Sequence, residues 1–366
     1  MKDASSDGQP RGGMPSPAHG AISTGPGHSS ANLPDMQVVA PPPDMLEATL
    51  ALFLRMFLRA SFRTLIGPPL GVRDQRWIVN SLAPLMPCVP GNDISEVSAG
   101  PVRVEVVTPQ RPDEQSVILY LHGGAFVLGS PATYRSLTTR LAAASGLPVW
   151  TPDYRLAPEH PYPAALDDAA TVFDSLVARG IPARRIVLAG DSAGAALALA
   201  LAIRLSKAGR ETPAGLALIS PVTDPALDET LVAANEWADP MVRLGWVEQG
   251  MRWYACPPEA LEHRPLETSL AGLPPMLVQT GDQEIFFAGS MRLAQHAERC
   301  GVPCKLEVYA GRWHVFHLQA FYLASARTAI GALAGFARER VGAVPGRACG
   351  GLAPSERQPG RESRIR

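Results

Sequence analysis

The sequence predicts an α/β protein with a mostly parallel central sheet and helices on both of its faces. From about residue 100 onward, short apolar segments alternate with longer segments whose apolar residues recur at helical spacing, and this alternation is typical of a parallel sheet with crossover helices. The chain has 366 residues, of which 46% are hydrophobic and 18% are charged, so it is long enough to enclose a large core.

The individual elements follow from local patterns. Residues 102–107 alternate between apolar and polar types, which predicts a half-exposed strand, whereas the apolar run at 116–121 predicts a buried one. Further strands are expected at 147–151, 185–189, 216–220, 276–280 and 306–309. Helices are expected at 133–145, 164–179, 193–208, 288–300 and 316–340.

Two segments interrupt this alternation and predict a helical cap on one end of the sheet. Residues 44–90 have helical spacing without strands, and residues 225–265 separate two strands, within a predicted domain of residues 44–344. The apolar stretch 45–60 is too short to cross a bilayer and contains Glu47 and two arginines. We therefore expect it to pack in the core or cap, with contact at a membrane surface as the alternative.

The two ends of the chain have a different composition. Residues 1–43 and 345–366 are rich in Gly, Pro and small polar residues, which predicts disordered tails. The segment after Lys2 lacks the apolar run of a secretory signal. Basic residues outnumber acidic ones in the C-terminal segment, as in a nucleic-acid-binding tail, but no aromatic residues interleave them, so a solvated end is favoured.

Charge and cysteine content restrict the possible partners. The formal net charge is −1, which provides no field to steer the protein onto nucleic acid or an anionic membrane. The five cysteines are odd in number and irregularly spaced, which indicates reduced thiols and a cytoplasmic protein. Cys300 and Cys304 have no second ligand pair nearby, so no metal site is expected. The sequence does not indicate an oligomeric state.

Residues 190–194, Gly-Asp-Ser-Ala-Gly, lie between a predicted strand and a predicted helix. This pattern is typical of a sharp turn that exposes a nucleophilic serine, here Ser192, with Gly190 and Gly194 leaving room for the turn. The start of the following helix also favours developing negative charge. A tight glycine turn without chemistry is the alternative.

The segment His122-Gly123-Gly124-Ala125-Phe126 follows the strand predicted at 116–121. Acyl transfer needs N–H donors aimed at the oxygen that becomes negative, and glycines allow the backbone to approach that oxygen closely. We expect the backbone N–H groups of Gly123, Gly124 and Ala193 to form this oxyanion hole, with His122 as an anchor of the loop. An ordinary loop after a strand is the alternative.

A nucleophilic serine needs a base, and the base needs a carboxylate to orient it. Of the eight histidines, His314 lies on the loop after the last predicted strand and is the expected base, whereas His317 begins a helix and is expected to be exposed or to support the base. Asp282 follows the strand 276–280 most closely and is the expected acid, with Glu284 as the alternative. The chain order is then serine, acid, histidine, as in α/β-hydrolases.

Five motifs occur together in one order. They are HGGAF at 122–126, YRLAPEHPYPAALDD at 154–168, GDSAG at 190–194, GDQE at 281–284 and WHVF at 313–316. On these motifs the chain resembles the hormone-sensitive-lipase-like, or GDXG lipolytic, family of α/β-hydrolases over about residues 85–342.

The resemblance implies an α/β-hydrolase fold with a helical cap. It also implies a catalytic triad and backbone donors at the positions that match the family motifs, which are Ser192, Asp282 and His314 with Gly123, Gly124 and Ala193. The sequence departs from the family at Ala125, where many members have a third glycine. It departs again in GDQE, which replaces a commoner DPL form and keeps Glu284 open as the acid. Residues 154–168 are expected to be a braced scaffold, with direct substrate contact as the alternative.

Together these features predict a serine carboxylic-ester hydrolase that forms an acyl-enzyme and needs neither a metal nor an organic cofactor. The expected partner is a small-molecule ester of short to medium acyl chain, because the cap contains Phe53, Trp237 and Trp246. A lactone, an amide or an N-acetyl group is the alternative substrate for the same triad. A non-catalytic binding protein, similar to the plant hormone receptors of this family, is disfavoured because those receptors lack the histidine base.

Overall fold

The computed structural model of the chain describes residues 35–223 and 235–342. Its centre is a nine-stranded sheet in the order β1-β9-β8-β7-β6-β4-β5-β3-β2. The strands are β1 (Asp35–Val39), β2 (Asp93–Ala99), β3 (Val102–Thr108), β4 (Val117–Leu121), β5 (Val149–Pro152), β6 (Ile186–Asp191), β7 (Gly215–Ile219), β8 (Met276–Gly281) and β9 (Cys304–Tyr309). All neighbouring pairs are parallel except β2 with β3 and β3 with β5, so the prediction of a mostly parallel sheet is confirmed.

Helices pack around this sheet, as the alternating sequence pattern predicts. Those in the described part of the chain are α1 (Met45–Ala60), α2 (Phe62–Leu65), α3 (Val72–Leu82), α4 (Pro131–Ser145), α5 (Ala164–Ala178), α6 (Ala193–Lys207), α7 (Leu244–Tyr254), α8 (Phe287–Arg299) and α9 (Ala324–Val341). Within the described residues, none of these helices is both long and apolar enough to cross a membrane.

The parallel strands end at one edge of the sheet, and the predicted chemistry follows those ends. Leu121 of β4 pairs with Gly190 of β6, and Asp191 of β6 pairs with Ile219 of β7. Gly281, the last residue of β8, pairs with Tyr309, the last residue of β9. The segments after β4, β6, β8 and β9 therefore leave the sheet side by side, which is where ligands bind in open α/β sheets.

The two segments that interrupt the alternation are helical, as expected for a cap. Residues 44–90 form α1, α2 and α3, and α1 begins at Asp44, whose side chain accepts a hydrogen bond from the Leu46 N–H. The described part of 225–265 forms α7, and residues 224–234 lie outside the described residues.

The structure differs from the prediction at both edges of the sheet. Residues 35–39, expected to belong to a disordered tail, form β1 and pair with β9 in parallel. β2 was also not predicted. Both are edge strands with mostly exposed side chains, so they lack the apolar pattern that identifies buried strands. Residues 40–43 connect β1 to α1, and the other expected tail residues, 1–34 and 345–366, lie outside the described residues.

The helix expected at 316–340 is divided. A short 3₁₀ turn covers Phe316–Gln319, and α9 begins only at Ala324. The N–H groups of Ala324 and Ser325 donate to the carboxylate of Glu47 from α1, at 2.8 and 3.2 Å. Because a residue distant in sequence accepts these N–H groups, the local pattern could not show where the helix begins.

The proline-rich segment between β5 and α5 is braced by ion pairs, as predicted for a scaffold. Its three charged residues pair outward rather than with one another. The pairs are Arg103 with Asp153 at 2.7 Å, Arg155 with Asp168 at 2.8 Å and Arg76 with Glu159 at 2.8 Å.

The start of α6 packs backbone against backbone on the end of β4, and Gly194 makes this approach possible. A Cβ atom on Gly194 would lie 2.0 Å from the Leu121 carbonyl oxygen, whereas a Cβ on Gly331 in α9 would meet nothing within 4 Å. We expect Gly194→Ala to lower the free energy of unfolding by about 1–3 kcal/mol or more, because the backbone must move apart. Gly331→Ala, the matched control, should raise it by about 0.5–1 kcal/mol through helix propensity. Urea unfolding measures both, and a Gly194→Ala variant as stable as wild type would contradict the close approach.

Candidate active site

Ser192 occupies the turn between β6 and α6 in a strained backbone conformation. Its φ and ψ are 53° and −119°, a combination that is costly for a residue with a side chain and that marks functional turns. The turn is held by the Ser192 N–H, which donates to the Ile219 carbonyl at 2.8 Å. This geometry matches the sharp strand-to-helix turn expected for a nucleophilic serine.

The loop after β4 presents a different set of N–H groups from the expected one. The Gly123 N–H donates to the Asp191 carboxylate at 2.9 Å, so it is already engaged. Gly124 and Ala125 have φ values of 117° and 54°. Among the described residues, the N–H groups of Gly124, Ala125 and Ala193 have no acceptor. The free donors are therefore shifted by one residue along the loop from the expected pair Gly123 and Gly124.

Asp191 connects the serine turn to this loop. Its buried carboxylate accepts from Tyr120 Oη at 2.8 Å and Tyr134 Oη at 3.0 Å, in addition to the Gly123 N–H. Burial raises the pKa of Asp191 to about 6, against the lowering effect of the two tyrosine hydroxyls and His314. At neutral pH the carboxylate is ionised and can hold all three donors.

His122 is fully buried, as expected for an anchor of the loop rather than a base. Its Nδ1 lies 2.9 Å from the Gly123 carbonyl, and its ring stacks on Tyr154 with the centroids 4.2 Å apart. The Tyr154 hydroxyl donates to the His122 carbonyl at 2.6 Å. Burial lowers the pKa of His122 to about 4, so the imidazole is neutral and fixed beside the loop.

His314 lies on the loop after β9, and the carboxylate beside it is Glu284. The distance from His314 Nδ1 to Glu284 Oε1 is 4.0 Å, an ion-pair distance that is longer than a hydrogen bond. Burial acts to lower the pKa of His314, but Glu284, with Asp239 and Asp191, raises it overall. Catalytic contacts are often long in the unliganded enzyme and shorten when substrate binds.

Glu284 is fully buried and held by three donors. Ser220 Oγ and Thr280 Oγ1 each donate to it at 2.8 Å, and the Gly281 N–H donates at 3.1 Å. Asp282, the expected acid, is only partly buried, and its carboxylate accepts from the Gly311 N–H at 2.7 Å. In the described part of the chain, no contact joins the carboxylate of Asp282 to His314. The geometry thus places the alternative acid, not the expected one, beside the base.

His317 is buried, so of its two expected positions, exposed or supporting the base, the exposed one is wrong. Its Nε2–H donates to Gln279 Oε1 at 2.9 Å, since the Gln279 amide nitrogen donates elsewhere. Burial, together with the charge of His314, lowers the pKa of His317 to about 3. His317 thus supports the loop as a neutral side chain.

Ser192 and His314 line one cavity of about 100 Å³ with Gly123 and Gly124. The apolar walls come mainly from the cap and the neighbouring loops: Phe62, Val79, Leu128, Met241, Val242, Trp246, Val315 and Leu318. A more open surface depression of about 470 Å³ shares no residue with this cavity. Within 35–223 and 235–342, no group of three or more His, Cys, Asp or Glu side chains could hold a metal ion.

Of the three cap aromatics expected around the acyl group, only Trp246 lines the cavity. Trp237 is 82% exposed and Phe53 is 59% exposed. Phe62 and Val79 also line the cavity, and neither was predicted from the sequence. Their positions on short helices give no local signal, because only the folded cap shows which apolar residues face the serine.

Comparisons with known proteins agree with this architecture. A sequence profile of the alpha/beta hydrolase fold matches residues 118–318. The chain is 35% identical to an esterase of Acinetobacter venetianus over 78% of this chain and 95% of that protein. It is 35% identical to an acetyl-hydrolase of Streptomyces hygroscopicus over 69% of this chain and 85% of that protein.

Solved structures show the same likeness. The crystal structure of an esterase from the bacterial hormone-sensitive lipase family has a TM-score of 0.74 at 31% identity, covering 81% of this chain and 99% of that one. A hormone-sensitive lipase from a metagenome library also has a TM-score of 0.74, at 28% identity, with 79% and 99% covered.

The buried neutral histidines make stability depend on pH. In the unfolded chain the pKa of His317 returns to an ordinary imidazole value near 6.5. Below that pH the unfolded chain binds a proton at His317 and the folded chain does not, so the free energy of unfolding falls as pH falls. Each such imidazole contributes a slope of about 1.4 kcal/mol per pH unit below roughly pH 6.5. We expect His317→Gln to unfold with a shallower pH slope by about that amount, measured by urea titration. Exposed His160→Gln is the control, and equal slopes for both variants would contradict the assignment.

Proposed function

The chain belongs to the hormone-sensitive-lipase-like α/β-hydrolases and is an ester-hydrolysing enzyme, and we propose that it cleaves short- to medium-chain acyl esters through Ser192, His314 and Glu284. The observation that carries this proposal is the shared cavity, in which a strained serine and a buried histidine lie together with the loop after β4.

In the proposed reaction, Ser192 Oγ attacks the ester carbonyl carbon while His314 accepts its proton. The tetrahedral intermediate collapses as His314 returns the proton to the leaving alcohol, which leaves an acyl-enzyme. Water then attacks the acyl carbonyl while His314 accepts its proton, and the bond from the acyl carbon to Ser192 Oγ breaks as His314 returns that proton to Oγ, which releases the carboxylic acid. The strained turn supports the role of Ser192, since it holds the side chain at the end of the sheet without prior reorganisation.

We propose Glu284 as the triad acid in place of Asp282. A carboxylate that orients a histidine must itself be fixed, and Glu284 is held by three donors and lies beside His314. Glu284 raises the pKa of His314, as the mechanism requires, because a carboxylate stabilises the imidazolium that forms during attack.

We propose the N–H groups of Gly124, Ala125 and Ala193 as the oxyanion hole. These donors have no acceptor among the described residues, whereas the Gly123 N–H is already bonded to Asp191. Ala193 is the first residue of α6, so the positive end of the helix dipole adds to its donor. Gly123 then orients the loop rather than binding the oxyanion.

The small volume of the cavity supports short acyl groups. Its walls are mostly apolar side chains, and it encloses about 100 Å³. One relative is named an acetyl-hydrolase, which agrees with a short acyl group here.

The cysteines within the described ranges, Cys88, Cys256, Cys300 and Cys304, are free, which supports the proposal of a cytoplasmic location.

The substrate class is tested with p-nitrophenyl acetate, butyrate and laurate. We expect kcat/KM to be higher for acetate and butyrate than for laurate, because the cavity limits the acyl chain. Ser192→Ala should lower kcat by more than about 10⁴-fold, whereas Ser206→Ala on the same helix should match wild type. Undiminished hydrolysis by Ser192→Ala would refute the nucleophile. A preference for laurate would refute the chain length, and turnover of only lactones or N-acetyl amides would refute the ester assignment.

The two carboxylates are separated by matched isosteric variants. Glu284→Gln should lower kcat by about 10²–10⁴-fold, because the imidazole loses its orienting charge. It should also shift the acidic limb of the pH–rate profile to lower pH, since Glu284 raises the pKa of His314. Asp282→Asn retains an acceptor for the Gly311 N–H and should change kcat by less than about tenfold. The reverse ranking of the two variants would return the role to Asp282.

A further inference from the structure

We propose that Glu47 of the cap helix α1 and Arg312 form a positioning pair that holds the loop carrying His314 in register with Glu284. This inference rests on the proposed function, because it assigns a catalytic consequence to residues outside the triad. Neither residue lines the cavity that contains Ser192.

The pair is buried and saturated with hydrogen bonds. The side chain of Glu47 is 3% exposed and that of Arg312 is 5% exposed, and Arg312 Nη2 donates to Glu47 Oε1 at 2.8 Å. The same carboxylate accepts from Ser325 Oγ and from the N–H groups that begin α9. Arg312 Nε in turn donates to Ser325 Oγ at 2.7 Å. Three segments distant in sequence are thus tied together at one carboxylate.

The backbone of Arg312 links the loop that carries the proposed base to the turn that carries the proposed acid. It precedes His314 by two residues, and its carbonyl accepts from the Gln283 N–H at 3.0 Å. A Cβ on Gly281 would lie 2.3 Å from the same carbonyl oxygen. The backbone of Arg312 therefore packs on the turn that carries Glu284. Any shift of Arg312 would change the separation of His314 and Glu284, which is 4.0 Å here.

A second residue of α1 reinforces this contact. Arg55 Nη2 donates to the Gly311 carbonyl at 3.1 Å, and its guanidinium lies 5.5 Å from the centroid of the Trp313 ring. Glu47 and Arg55 thus contact the three consecutive residues that precede His314. The cap helix is joined to the base loop by a carboxylate at one point and a guanidinium at the other.

A buried ion pair is not an efficient source of stability, since both charges lose their hydration. Replacing such a pair with apolar residues of similar size is often neutral or stabilising, whereas removing one partner strands a buried charge. The geometric role of the pair can therefore be separated from its contribution to folding. A double variant that removes both charges, but keeps an acceptor for the N–H groups that begin α9, can restore stability without restoring the ion pair that fixes the loop.

The experiment compares Glu47→Gln with Glu105→Gln in the full chain, using p-nitrophenyl butyrate. Glu105 is also a buried carboxylate, 4% exposed in its side chain, and it binds Arg135 at 2.7 Å, but neither residue lines the cavity. We expect Glu47→Gln to lower kcat by roughly tenfold to a hundredfold through misplacement of the base. KM should stay within about twofold, since the cavity walls are unchanged. Glu105→Gln should leave kcat as in wild type.

The pH profile provides a readout that loss of stability alone would not move. The charged groups that act on His314 are Glu284, Asp239 and Asp191, and His317 is its titratable neighbour. Glu47→Gln should shift the acidic limb of kcat to lower pH, because the pKa of His314 should fall. Arg312 loses its counter-charge, and Glu284 is no longer held at its position beside His314. In Glu47→Gln/Arg312→Met, where an amide oxygen can still accept from the Ala324 and Ser325 N–H groups and no charge is stranded, we expect the midpoint of urea unfolding to recover while kcat stays low.

The outcomes separate the inference from the proposed function. If wild type shows no Ser192-dependent ester hydrolysis, the proposed function fails and this inference falls with it. If wild type is active but Glu47→Gln matches Glu105→Gln in kcat and in its acidic limb, only the inference fails. Recovery of kcat together with stability in the double variant would also overturn it, since packing alone would then suffice.

Discussion

The hydrogen bonds of Asp191 are the contact on which the site depends. Its carboxylate joins the serine turn to the loop after β4 through the Gly123 N–H, and two tyrosines complete its coordination. Since Gly194 leaves no space for a Cβ against Leu121, the two segments also pack backbone against backbone. The proposed nucleophile and the proposed oxyanion donors are therefore positioned by the same contact. A change that separates the loops would displace both at once.

The burial of charge in this region has a consistent chemical logic. Histidines without a carboxylate partner, His122 and His317, have lowered pKa values and stay neutral. His314, beside Glu284, has a raised pKa. Imidazoles that are buried to the same degree thus have pKa values shifted in opposite directions. The difference is the neighbouring carboxylate, which allows an imidazole to accept a proton and stabilises the resulting charge.

The sequence was sufficient for the features that depend on local pattern and not for those that depend on contact. The serine turn, the glycine loop after β4 and the positions of the central strands along the chain were all predictable, because glycines and apolar runs act within a few residues. The choice between Asp282 and Glu284 was not. Both side chains leave one turn, and only the packing of Arg312 and Ser220 around it decides which carboxylate reaches His314. The free N–H donors likewise lie one residue further along the loop than expected, because Asp191 accepts the hydrogen bond of the Gly123 N–H.

The orientation of α1 illustrates the limit of apolar patterning. The helix buries Ala51, Leu54 and Leu58, yet Leu52 and Phe53 on its other face are more than half exposed. Both faces of α1 are apolar, and hydrophobic burial is not directional. Burial alone therefore does not determine which face of α1 packs inward. A buried charge does discriminate, since turning the helix over would leave Arg312 without Glu47. A buried ion pair, although in general a weak source of net stability, can therefore decide which face of the cap meets the loop that carries His314.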